Sequence, residues 1–85
     1  MNKMFPYLLW KYVKDIIVRI ETKYNYPPME ALRAFLFSET YKMLEDPELV
    51  MWEFSPLGIF DMWETEQITG DPRNSLYLRR DEYVG

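Results

Sequence analysis

The chain has 85 residues, of which 48% are hydrophobic and 18% aromatic, and its net charge at pH 7 is −4. This length fits one small domain, and this composition lies far from that of disordered chains. The absence of cysteine and histidine excludes disulfides, thiolate zinc sites and histidine-based acid–base catalysis. We therefore expect a protein that is not an enzyme and that binds no cofactor or metal.

Helical periodicity predicts a first helix over residues 6–24, with Pro6 in its first turn. The apolar stripe of this helix consists of Leu8, Leu9, Tyr12, Val13, Ile16, Ile17, Ile20 and Tyr24. The stripe is wider than contact with one neighbour requires, so the helix is central or also serves a partner. The apolar stretch before Lys11 is too short for a signal peptide or a membrane span, which favours a cytoplasmic location.

Two shorter helices are predicted next, over residues 28–37 and 39–45. Pro27 and Pro28 end the first helix, and Pro28 can begin the second. Ser38 is a suitable N-cap for the third helix. The residues expected to face the core are Leu32, Phe35, Leu36, Tyr41 and Leu44.

The segment after the third helix lacks helical periodicity. Asp46 and Pro47 form a cap-and-start signal, which predicts a brief helical turn over residues 47–51. Residues 52–54 alternate apolar and polar side chains, but three residues make no sheet without a partner strand. We interpret these three residues as a link between helices.

A last helix is predicted over residues 56–69. Ser55 and Pro56 repeat the cap-and-start signal, and Gly70 is a typical residue just beyond a helix C-terminus. The expected core stripe of this helix is Ile59, Phe60 and Trp63.

These elements predict an all-α fold, a small irregular bundle of about four helices, with one long N-terminal helix and three shorter ones. We expect residues 1–75 to form a single helical domain. Residues 76–85 are expected to be a C-terminal tail, docked or mobile.

Charge is distributed unevenly along the chain. Residues 1–24 have a local balance of +3, whereas the stretch between Met43 and Pro72 has no lysine or arginine. The carboxylates of that stretch are Glu45, Asp46, Glu48, Glu53, Asp61, Glu64, Glu66 and Asp71. Such a chain can fold its basic helix against its acidic half or associate head to tail. The negative net charge works against binding a phosphate backbone, so we expect no direct nucleic-acid binding.

The acidic half also holds two of the three tryptophans. Aromatic side chains at helical spacing usually form core, but this chain has more aromatic bulk than so small a domain normally hides. We therefore predict a contact surface that includes Trp52, Phe54 and Trp63, with Trp63 contributing chiefly to the core and Trp52 to contact. The acidic residues predicted at the same surface are Glu48, Glu53 and Glu64.

Two other site types are weighed against this surface. Asp61 and Glu64 lie three residues apart, a spacing that suits a metal, but a solvated acidic face is the simpler explanation. Helices 28–37 and 39–45 have the spacing of a helix-turn-helix, but Glu39 and Glu45 on the second of them are poor partners for DNA phosphates.

The preferred function is a non-enzymatic protein–protein interaction module that associates with itself as a homodimer, or with another protein. The alternative is an acidic inhibitor or antitoxin-like protein whose carboxylates block a basic site on a partner macromolecule. No membrane partner is expected.

A set of helix-capping and apolar residues in this chain also resembles a pattern found in other proteins. Its residues are Glu30, Ala31, Leu32, Ser38, Thr40, Tyr41, Leu44, Asp46, Trp52, Ser55, Pro56, Asp61, Met62 and Glu64. Over about residues 7–66 the chain resembles small uncharacterised bacterial proteins that are sometimes encoded beside toxin–antitoxin-type genes. The resemblance implies a compact helical bacterial protein that acts on a partner, and it carries no functional residue across.

Overall fold

The computed structural model describes residues 5–75, with the side chains of residues 7–75. Its α-helices are α1 (Phe5–Tyr24), α2 (Pro28–Leu36), α3 (Glu39–Glu45) and α4 (Pro56–Thr69). No strand occurs in this part of the chain, and the first helix is the longest. The predicted all-α fold with one long and three shorter helices is confirmed. The predicted tail, residues 76–85, lies outside the described residues.

The helix ends lie where local sequence signals predicted them. The Ser38 hydroxyl accepts a hydrogen bond from the Tyr41 amide at 3.1 Å, and the Ser55 hydroxyl accepts one from the Gly58 amide at 3.2 Å. Each bond satisfies an amide that the first turn of a helix leaves without an intrahelical acceptor. These caps explain why α3 and α4 begin one residue after a serine.

The segment between α3 and α4, residues 46–55, is hereafter called the connector. It contains two short 3₁₀ turns, Pro47–Leu49 and Met51–Glu53, separated by Val50. Val50 has φ 52° and ψ 40°, a left-handed conformation that a β-branched residue rarely adopts. The predicted turn over 47–51 therefore stops at Leu49, and residues 52 and 53 belong to a second turn.

The core is formed by residues from all four helices and the connector. Its buried apolar side chains are Val13, Ile16, Ile20, Ala31, Phe35, Leu44, Met51, Ile59, Phe60, Met62 and Trp63. Helix α4 contacts α1, α3 and the short 3₁₀ turn Pro72–Asn74. Because it is packed on several sides, it buries Met62 in addition to the stripe that its periodicity predicted.

No helix among residues 5–75 combines the length and the apolar character that crossing a bilayer demands.

Gly70 ends α4 at φ +84°, and a Cβ added there would meet no atom within 4 Å. Gly70→Ala should therefore lower stability by about 1–2 kcal/mol through the backbone alone, since a left-handed conformation is costly for alanine. Chemical denaturation followed by circular dichroism measures this loss. Gly70→Asn is the control and should lose less, because asparagine tolerates this conformation better. Equal stability of the parent and the alanine variant would contradict the assigned cap.

Candidate interaction surface

Trp63 lies in the core, with only 2% of its surface exposed. Its indole Nε1 donates a hydrogen bond to the backbone carbonyl of Ala34 at 3.2 Å. Its ring stacks on Phe60 at a centroid distance of 6.1 Å and contacts the ring of Tyr24 at 5.9 Å. Trp63 thus joins α4 to α2 and to the end of α1, and it offers almost no surface to a partner of the monomer.

Replacing Trp63 by alanine should destabilise the fold by roughly 3–5 kcal/mol, because a large cavity opens and the Ala34 carbonyl loses its donor. Trp52→Ala should cost much less, since Trp52 is only half-buried. Circular dichroism melts of the two variants beside the parent measure the difference. Similar melting temperatures for all three proteins would contradict the placement of Trp63.

Glu66 on α4 binds the N-terminus of α3. One of its carboxylate oxygens accepts from the Glu39 amide at 2.8 Å, and the other accepts from the Thr40 amide at 2.9 Å and from the Thr40 hydroxyl at 2.8 Å. The next amide of the helix, that of Tyr41, is bound by Ser38. The negative charge also lies at the positive end of the helix dipole. The first three amides of α3 therefore all have acceptors.

Glu66→Gln should lower stability by about 1–3 kcal/mol, because the new amide group would face a backbone N–H that needs an acceptor. Glu30→Gln makes the same chemical change at an exposed position on α2 and should cost much less. Urea unfolding of both variants measures the difference. Equal losses in the two variants would show that charge, and not the bonds to α3, determines the effect.

Glu64, a predicted contact residue, interacts within the monomer. Its carboxylate accepts hydrogen bonds from the Lys23 ammonium group and from the Tyr24 hydroxyl. These bonds raise the pKa of Lys23 and of Tyr24 above the ordinary values of their side chains. Both groups are protonated donors at neutral pH, and the raised pKa values keep them protonated into more alkaline solution. The basic end of α1 thus contacts the acidic half of the chain.

Most of the other carboxylates in the acidic half also have internal partners. Asp46 and Asp71 accept from the backbone amides two residues further on. Asp61 accepts a hydrogen bond at 2.5 Å from the hydroxyl of Ser75, which is fully buried. The side chains of Glu48 and Glu53 are exposed and take part in none of the ion pairs of the described residues. Of the predicted acidic contact residues, Glu48 and Glu53 are the two that face solvent.

Tyr12 attaches the connector to α1. The Tyr12 hydroxyl lies within hydrogen-bonding distance of the backbone carbonyls of Trp52, at 2.7 Å, and Phe54. A tyrosine hydroxyl has one hydrogen, so the two carbonyls share a single donor. Burial raises the pKa of Tyr12, which keeps this donor protonated at neutral pH. Trp52 and Phe54 are half-buried, while Leu49 is 47% exposed.

A second apolar surface, which the sequence analysis missed, lies on the outer side of α1. Tyr7, Trp10 and Val18 are 72%, 58% and 57% exposed. Together with Lys11 and Lys14, which are also exposed, they recur at helical spacing outside the core stripe, and we call these five residues the α1 strip. The signal was present in the sequence, because a projection around the helix places these side chains away from Val13, Ile16 and Ile20.

No metal site accompanies these surfaces in the described part of the chain, where no group of three or more acidic side chains could hold an ion. Asp61 and Glu64, whose spacing was weighed as that of a metal pair, instead accept hydrogen bonds from Ser75 and from Lys23 and Tyr24.

The chain matches no protein-family model, no curated protein and no solved structure.

Proposed function

We propose that this chain is a non-enzymatic interaction module that associates with itself as a homodimer. The observation that supports this proposal is the α1 strip, where two aromatic side chains and a valine of one helix face are more than half exposed. Removing such side chains from water is favourable by about 25 cal/mol per Å² of apolar surface, so a helix face of this kind gains from being covered. A self-complementary surface is the commonest way to cover it.

Other exposed apolar residues give weaker support for a contact surface. Phe37 and Ile68 are 82% and 84% exposed. Phe37 borders a shallow cleft whose other residues include Glu30, Arg33 and Gln67, so its surroundings are polar and charged. The α1 strip differs because its apolar residues lie on one continuous helix face.

The alternative, an acidic inhibitor of a basic partner, requires carboxylates that face solvent. Glu64 and Glu66 are bound to groups of the same chain, as described above, and this leaves Glu45, Glu48 and Glu53 as the exposed carboxylates of the acidic half. Three exposed carboxylates support imitation of a phosphate backbone less well than a full acidic face would. The self-associating module is therefore preferred, while the resemblance to bacterial toxin–antitoxin neighbours and the cytoplasmic location remain hypotheses.

Light scattering at micromolar concentration should give twice the chain mass of 10.4 kDa. Trp10→Ala combined with Tyr7→Ala should shift the protein toward the monomer while its circular dichroism spectrum stays that of the folded parent, because both side chains project from the fold. Met29→Ala, at another exposed apolar position, is the matched control and should associate as the parent does. A parent that stays monomeric at high protein concentration would overturn the proposal.

A further inference from the structure

We propose that the partner of the α1 strip is the connector of a second copy of this chain, in a two-fold dimer where each copy supplies both surfaces. The inference rests on the proposed self-association and adds the surfaces that meet.

The two surfaces carry opposite charge. Lys11 and Lys14 are exposed on the α1 strip, and Glu48 and Glu53 are exposed on the connector. The ion pairs among the described residues are Arg19–Asp15, Lys23–Glu64, Lys42–Glu39 and Arg73–Asp71. None of these pairs uses the two lysines of the strip or the two glutamates of the connector. Both sets of charges are therefore available to a partner of opposite sign.

The two surfaces also have matching apolar parts. The strip exposes Tyr7, Trp10 and Val18, and the connector exposes Leu49 and carries the half-buried Trp52. Protein interfaces commonly combine apolar and charged side chains. The strip combines its apolar residues with lysines, and the connector combines Leu49 and Trp52 with glutamates, so the two surfaces have charges of opposite sign.

The charges of the two surfaces disfavour an interface in which each surface pairs with its own copy. An interface between two α1 strips would bring Lys11 and Lys14 of both copies together. An interface between two connectors would likewise bring Glu48 and Glu53 of both copies together. Like charges across an interface oppose binding, whereas the crossed arrangement places lysine opposite glutamate.

The placement of the two surfaces on one copy allows them to meet in a two-fold dimer. The connector is joined to α1 through Tyr12, the residue next to Lys11 of the strip. Lys11 and Tyr12 also border a cleft with Leu8 and Pro56, at the beginning of α4. Lys11 of the strip thus lies close to Pro56, the residue that follows the connector. In a two-fold interface, residue i of one copy contacts residue j of the other and the reverse, so neighbouring complementary surfaces can both be covered.

A charge-reversal experiment tests this arrangement. One variant combines Lys11→Glu with Lys14→Glu, and the other combines Glu48→Lys with Glu53→Lys. Each variant alone faces like charges at both contacts, so its dimer should dissociate at a concentration more than about tenfold higher than that of the parent. In an equimolar mixture, a dimer of one copy of each variant has opposite charges at both contacts. The mixture should therefore recover the parental dimer mass by light scattering.

The control exchanges two exposed charges elsewhere, Glu30→Lys with Arg33→Glu on α2, and should associate as the parent does. Circular dichroism establishes that each variant folds. If a variant does not fold, the salt dependence of the parental dimer still decides, since exposed charges are screened within about 10 Å at 0.1 M salt. A dimer of the proposed kind should weaken as salt increases, and an affinity independent of salt overturns the proposal.

The possible failures are distinguishable. A parent dimer whose charge-reversed variants also dimerise at parental affinity overturns the crossed arrangement and leaves self-association standing. The same holds for variants that become monomers and remain monomers when mixed. A monomeric parent overturns the self-association itself.

Discussion

The arrangement of the three short helices depends on two side chains of α4 that bind the junction between α2 and α3. Trp63 donates to the carbonyl of Ala34 near the end of α2, and Glu66 accepts from the first amides of α3. Helices of 9 and 7 residues are too short to be stable in water by themselves, so tertiary contacts must stabilise them. One helix supplies both contacts from positions three residues apart, which lie on the same face. The orientation of α2 relative to α3 is thereby coupled to the position of α4.

The bonds of Glu66 also change how the acidic half of the chain is interpreted. In the sequence, a stretch with many carboxylates and no lysine or arginine indicates a surface for a partner. In the structure, Glu66 and Asp46 bind backbone amides, and Glu64 joins α4 to the end of α1. Carboxylates suit these tasks because they accept several hydrogen bonds and stabilise the N-terminal ends of helical turns. Much of the negative charge in the acidic half therefore stabilises the fold of the chain itself.

Sequence reasoning succeeded where the cause of a structure is local. The serine caps at 38 and 55 and the glycine at 70 act within a few residues of their positions, so the helix boundaries could be predicted closely. The bonds of Glu66 to α3 span 26 or more residues, and no local pattern reveals them. The left-handed Val50 was also unpredictable, because the surrounding packing must offset its local cost. Trp63 could be assigned to the core from its spacing with Ile59 and Phe60, but its bond to Ala34 could not.

The charge asymmetry of the chain is only partly neutralised inside one copy. Lys23 lies at the end of α1 that reaches α4, and there it meets Glu64. Lys11 and Lys14 lie on the outer side of the same helix, and the connector that carries Glu48 and Glu53 is attached to α1 through Tyr12 instead of through these lysines. None of these four residues takes part in an ion pair within the described part of one copy, so their charges are available to a second copy. The same helix can in this way supply a core stripe to its own chain and a charged, apolar strip to its partner.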